Sequence, residues 1–176
     1  YCNVPFVVEK AINNYNNTTN HINAGSVNAY GGSSADFVVH GGVLEKYNGA
    51  AIEVVIPNSV KIIGRAFDSM AITSVVIPDS VQEIGSGAFY GCAALTSVTM
   101  GNSVQKIGRS AFEYCRALTA ITIPDSVKEI GYYAFDGCSA LTSLTIGNSV
   151  TEISSDAFRG CSSLIAIIIP ASVQWI

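Results

Sequence analysis

Two histidines, two methionines and a single tryptophan are spread over 176 residues, and charged side chains make up only 12% of the chain. With His21 and His40 as the only imidazoles, a histidine-based metal centre or catalytic triad has almost no material. No G-x-S-x-G nucleophile elbow occurs. The nine lysines and arginines are scattered and are outnumbered by thirteen acidic residues. Binding of phosphates needs clustered cations, so nucleic acid is not expected as a partner. Mean hydropathy is positive, yet no apolar run approaches the ~20 residues of a membrane-spanning helix; the longest, residues 164–170, is strand-sized. The first residues show no basic stretch leading into an apolar one, so a leader was either removed or never there. The chain is long enough for one well-buried core and too short for two conventional domains.

What the chain has is repetition. Ser80, Ser103, Ser126, Ser149 and Ser172 recur every 23 residues, giving full repeats 80–102, 103–125, 126–148 and 149–171. A fixed period of this length marks a repeat architecture. Residues 59–79 are the same unit shortened to 21, residues 50–58 supply one more closing strand, and residues 172–176 begin a further unit.

In the second full repeat the apolar columns are Val104, Ile107, Ala111, Phe112, Cys115, Leu118, Ile121 and Ile123. Residues 118–123 end in alternation and carry β-branched side chains, which predicts a half-buried strand. Pro124-Asp125 or Gly147-Asn148 then breaks it. The segment 104–108 predicts a second short extended piece, and 109–115 a single helical or 3₁₀ turn. Each unit is therefore one coil. Eight buried side chains do not offset the ordering of 23 residues, so coils must stack to fold. Stacking predicts one parallel sheet of six strands, ending near Ile56, Ile77, Met100, Ile123, Ile146 and Ile169.

The pattern L-x-x-L-x-I-P-x-S-V-x-x-I-G-x-x-A-F-x-x-C resembles the BspA-like leucine-rich repeats of microbial surface proteins, over residues 36–176. Residues 36–57 resemble the segment that often precedes such arrays, and residues 1–35 match nothing recognisable. The resemblance implies a β-dominated α/β-type repeat solenoid: a right-handed leucine-rich repeat coil with one parallel sheet of about six strands and short helical turns. It implies a surface or secreted location and a role in adhesion or partner binding, with no shared catalytic residues. The domain reading is an N-terminal arm and cap over 1–49 and the solenoid over 50–176.

Cys92, Cys115, Cys138 and Cys161 occupy one core column, with Met70 near the equivalent place in the short repeat. Their Cα atoms fall within disulfide range at strand spacing, but stacked side chains point in parallel and their Cβ atoms stay too far apart. Four free thiols are expected, packing as small hydrophobes. Cys2 is a plain thiol or an intermolecular cross-link. Asp79, Asn102, Asp125 and Asn148 suggest a cation ladder at first sight, although turn capping accounts for them. Glu83, Lys106, Glu129 and Glu152 form a solvated edge. No catalytic, cofactor-binding or metal-ligating set emerges.

The outward strand face is the candidate binding surface, centred on Thr96, Thr99, Thr119, Thr122, Thr142 and Thr145. This flat hydroxyl array suits protein or glycan on a host or matrix, although threonine also simply suits a strand surface. Tyr90, Tyr114, Tyr132 and Tyr133, on another edge, are alternative contacts. At the last coil the outward positions become Ile165 and Ile168, and the Glu/Lys column ends in Trp175. Three explanations stand for this apolar end: further chain beyond it, a cap folding back, or head-to-tail assembly with copies of itself. Residues 12–23 read as a mobile polar arm with glycosylation acceptors at Asn16 and Asn17, and residues 4–12 as a cap on the first coil.

Overall fold

A computed structural model describes residues 33–176. The readings made for Cys2, Asn16, Asn17, His21 and the arm lie outside the described residues. A 3₁₀ turn, Ser34–Asp36, is held by a reciprocal cap in which Ser33 Oγ accepts from Ala35 N–H and Asp36 accepts from Ser33 N–H. A hairpin of β1 (Phe37–His40) and β2 (Val43–Tyr47) follows.

From there longer and shorter strands alternate: β3 (Glu53–Val55), β4 (Ile62–Ile63), β5 (Ser74–Ile77), β6 (Glu83–Ile84), β7 (Ser97–Met100), β8 (Lys106–Ile107), β9 (Ala120–Ile123), β10 (Glu129–Ile130), β11 (Ser143–Ile146) and β12 (Glu152–Ile153). The short strands stack in parallel on the hairpin as one seven-stranded sheet, β1-β2-β4-β6-β8-β10-β12, so the hairpin provides its first layer. The partners are residues one coil apart, such as Ile84 with Ile107 and Ile107 with Ile130. The coil reading thus holds, with the short extended piece at 104–108 where expected.

The eight apolar columns face the core. In the second full repeat Val104, Ile107, Ala111, Phe112, Cys115 and Leu118 are wholly inside, with Ile121 and Ile123 nearly so. Between the two strand columns runs a ring stack of Phe67, Phe89, Phe112, Phe135 and Phe158, with centroids 5.0 to 5.4 Å apart and planes within 11°. Tyr47 and Phe37 continue it into the hairpin. The four cysteines described are free and buried.

Two expectations need correction. The segment 109–115 is not helical. Its amides alternate in direction: Phe112 N–H donates to Ala134 O and Tyr114 N–H to Asp136 O in the next coil, while Glu113 and Cys115 donate back to Ser110 and Phe112. Ser110 and Tyr114 take left-handed backbone, φ 54° and 61°, which a helix forbids.

The second correction concerns the longer strands, which do not form a single sheet of six. They fall into β3-β5-β7 and β9-β11, and residues 164–169 join no ladder. The closing turns alternate Pro78-Asp79, Gly101-Asn102, Pro124-Asp125, Gly147-Asn148 and Pro170-Ala171. Where Gly follows Pro, the glycine lies against the proline's backbone: a Cβ on Gly101 would meet Pro78 C at 2.6 Å, and one on Gly147 would meet Pro124 O at 2.5 Å. The Asp carboxylate then clamps the next turn, Asn102 N–H to Asp79 Oδ1 and Asn148 N–H to Asp125 Oδ1, each 2.6 Å. The Asp side chains thus cap the turn of the following coil, whereas capping within each turn was expected for the Asp/Asn column. Where Pro follows Gly, no such clamp forms among the described residues. At both of those junctions, β7 to β9 and β11 to 164–169, the ladder is interrupted.

Candidate binding surfaces

The outward threonines divide into two rows with different duties. Thr96 Oγ1 donates to Thr73 O at 3.0 Å and Thr142 Oγ1 to Thr119 O at 3.1 Å, so their hydroxyls tie adjacent coils together. Thr73 does the same to Ile52 O. Thr119 makes no such bond, because it faces the interrupted junction. Thr99, Thr122 and Thr145 sit three residues further along each coil. Thr122 and Thr145 are register partners, Thr99 pairs with Val76, and Thr122 and Thr145 are exposed while Thr99 is half-buried. Of the six candidate threonines only Thr96 and Thr142 bond the neighbouring coil, so these three and Thr119 keep their hydroxyls free of it. Beside them Val98 and Met100 are half-buried where Ile121 and Ile123 are closed, a consequence of the open junction.

The apolar end stands out in full. Ile165 is 99%, Ile168 85% and Trp175 72% exposed. The short-strand edge stays attached here, with Ile153 N–H donating to Trp175 O at 2.9 Å, while residues 164–169 lift away.

Sequence inspection missed the arginines, which it grouped with the scattered cations. All four in the chain, Arg65, Arg109, Arg116 and Arg159, lie along the turn edge, and each guanidinium sits over a tyrosine ring. Arg65 covers Tyr90 at 5.4 Å, Arg116 covers Tyr114 at 5.6 Å, and Arg109 and Arg159 both address Tyr133, at 5.9 and 5.2 Å. Tyr90 and Tyr114 meet edge to face at 5.7 Å. Arg159 also grips the buried Asp136 with two nitrogens, at 2.7 and 3.2 Å, which raises its already high pKa. Arg65 pairs with Asp68 at 2.9 Å. Among the described residues, Arg109 and Arg116 pair with no carboxylate, nor do Glu113 and Asp156 with any cation. The signal was present in the repeat register, since all four arginines fall on the arc between the short-strand Ile (Ile63, Ile107 or Ile153) and the following Ile72, Leu118 or Leu164.

No group of three or more His, Cys, Asp or Glu among the described residues could hold a metal ion. His40 is exposed and contacts only Glu45, at 2.8 Å. Lys106 pairs with Glu129 at 2.8 Å along the solvated edge, a contact that raises its pKa. No helix among the described residues is long and apolar enough to cross a membrane.

Comparison with known proteins adds a family likeness. The profile described as "BspA type Leucine rich repeat region" matches residues 47–92 and 60–176, in six copies. No curated protein sequence matches the chain. Among solved structures, a leucine-rich repeat protein of T. pallidum is 31% identical with a TM-score of 0.72, over 76% of this chain and 69% of that one. A leucine-rich cell surface protein of Faecalibacterium prausnitzii is 30% identical with a TM-score of 0.56, over 87% of this chain and 51% of that one. A Bacteroides capillosus leucine-rich repeat protein is 28% identical with a TM-score of 0.55, over 63% of this chain and 98% of that one.

Proposed function

This chain belongs to the BspA type leucine-rich repeat family, and from that membership we infer a non-enzymatic adhesion or binding module of an extracellular or cell surface. The repeat family is typically non-enzymatic and its members generally bind proteins, and one structural relative is itself described as a cell surface protein. The observation that carries the reading is the exposed row Thr122 and Thr145, with Thr99 beside it. It offers uncharged hydroxyls at strand spacing on a scaffold whose core is closed. A rigid row of this kind contacts protein or glycan through many weak hydrogen bonds without first ordering itself. Immobilised matrix proteins and glycans should yield a ligand whose affinity falls about tenfold or more in Thr122→Asp/Thr145→Asp. Unchanged binding in that variant would remove the face from consideration.

A second reading, head-to-tail stacking through the apolar end, is favoured by the exposure of Ile165, Ile168 and Trp175. It predicts mass above 18.4 kDa in concentration-dependent light scattering, lost on deleting residues 172–176. A monomer throughout would end it.

A further inference from the structure

We propose that the arginine and tyrosine edge is a second contact surface, one that docks a polypeptide segment carrying both carboxylates and cations. The proposal rests on the binding-module reading and adds a site and a partner chemistry to it.

The edge is not what coil packing alone requires. Two turn columns of the coils adopt left-handed backbone, filled by Gly87, Ser110, Tyr133 and Asp156 in one and by Ser69, Gly91, Tyr114, Gly137 and Gly160 in the other. Apart from the two tyrosines they hold glycine or a small polar residue. Tyr133 and Tyr114 occupy those same two columns with φ of 57° and 61°. A bulky aromatic side chain is a genuine outlier there, and such strain gathers at sites of recognition. The ring of Tyr114 lies against Gly137, where a Cβ would meet its Cδ1 at 2.5 Å. A small neighbour is therefore what admits the ring.

What the edge displays is directional. One guanidinium lies over each of the Tyr90 and Tyr114 rings and two over Tyr133, which leaves less of these faces for a sugar to stack on. A guanidinium whose N–H groups are not already paired can donate to a planar carboxylate. Arg109 and Arg116 are the forks not already engaged, and Tyr132, 53% exposed, lies in the same column as Arg109 one coil on. Tyrosine and arginine are also the residues that carry most energy at the centres of protein contacts. Glu113 stands among them with no ion pair among the described residues, and Asp156 lies near enough to Arg159 to raise its pKa. Interleaved carboxylates repel a polyanion such as a sulfated glycan and call for cations on the partner.

The test is to pan a displayed library of random peptides, each about a dozen residues long, against the wild-type protein. The selected peptides are then measured on Arg109→Ala/Arg116→Ala, on Tyr114→Gly/Tyr133→Gly and on Thr99→Ala/Thr122→Ala/Thr145→Ala. The expected peptides contain Asp or Glu together with Lys or Arg. They lose about tenfold or more in affinity on the first two variants and keep it on the third. Glycine suits the left-handed positions, so the tyrosine variant should melt within a few degrees of wild type.

Peptides that bind all variants equally, or that fail only on the threonine variant, would overturn the proposal and leave the binding-module reading standing. So would a tyrosine variant that melts far lower yet binds normally, since the rings would then be staples between coils. Binding of heparin or hyaluronan fragments with no peptide selected would overturn the partner class. Silence from peptides and glycans alike would sink the module reading as well.

Discussion

The repeated cysteine answers to a local hydrogen-bond requirement. Each thiol donates to a phenylalanine carbonyl of the preceding coil: Cys92 Sγ to Phe67 O at 2.9 Å, and Cys115, Cys138 and Cys161 to Phe89, Phe112 and Phe135 at 3.2 Å. The Phe carbonyl already accepts from the cysteine of its own coil, as in Cys92 N–H to Phe89 O, so the thiol fills its second lone pair. A side chain of this size that is apolar in bulk and still donates is rare. Burial raises all four thiols above their ordinary 9.0, Cys92 to about 12 and Cys161 to about 11. The folded state therefore holds them neutral where the unfolded chain ionises. Their contribution to stability is complete below about pH 9 and is lost as pH rises toward 11 and 12. Urea midpoints should fall across that alkaline window, and a thiol reagent at neutral pH should label these cysteines only once the protein unfolds. Phe112→Ala, which breaks ring contacts of 5.1 and 5.2 Å on both sides, should cost about 3–5 kcal/mol by the same titration.

At the scale of the element, the alternating turns decide which strands bond. Asp125 caps Asn148 at 2.6 Å and Gly147 lies against Pro124, so β9 and β11 are joined, whereas β7 and β9 are not. Asp125→Ala should destabilise by about 1–2 kcal/mol through the lost charge-assisted bond. Gly147→Ala should cost about 1–3 kcal/mol, since its Cβ has no room beside backbone atoms. Hydrogen exchange provides the comparison between junctions. The β9 amides that face β7 should exchange faster than those in the β9-β11 ladder; equal protection would refute the break between β7 and β9. The turn sequence was legible as a break from the start. Its period of two coils is also in the sequence, but its consequence depends on how near two backbones come.

For the whole molecule, each coil touches only its neighbours, so stability is passed along one dimension. The hairpin of β1 and β2 closes one end: Leu44 and Tyr47 are buried, and Tyr47 sits 5.3 Å from Phe67. Removing residues 33–47 should lower the melting temperature and increase exchange first in the coil around Ile63 and Phe67, with residues 126–153 affected least. Uniform loss of protection would show instead that the stack melts as one unit.

The 23-residue period, the buried columns and the placement of cysteine in the core follow from sequence alone, because each coil meets a copy of itself and an apolar position repeated in register can only face inward. Three features waited for the tertiary structure. The threonine hydroxyls divide between inter-coil bonds and solvent because one row lies within reach of the previous coil's carbonyls and the other does not. The sheet parts at the Gly-to-Pro turns because backbone approach is a distance that residue type alone does not state. The arginines converge because winding brings residues 65, 109, 116 and 159 to one edge, where each guanidinium finds a tyrosine ring within 6 Å.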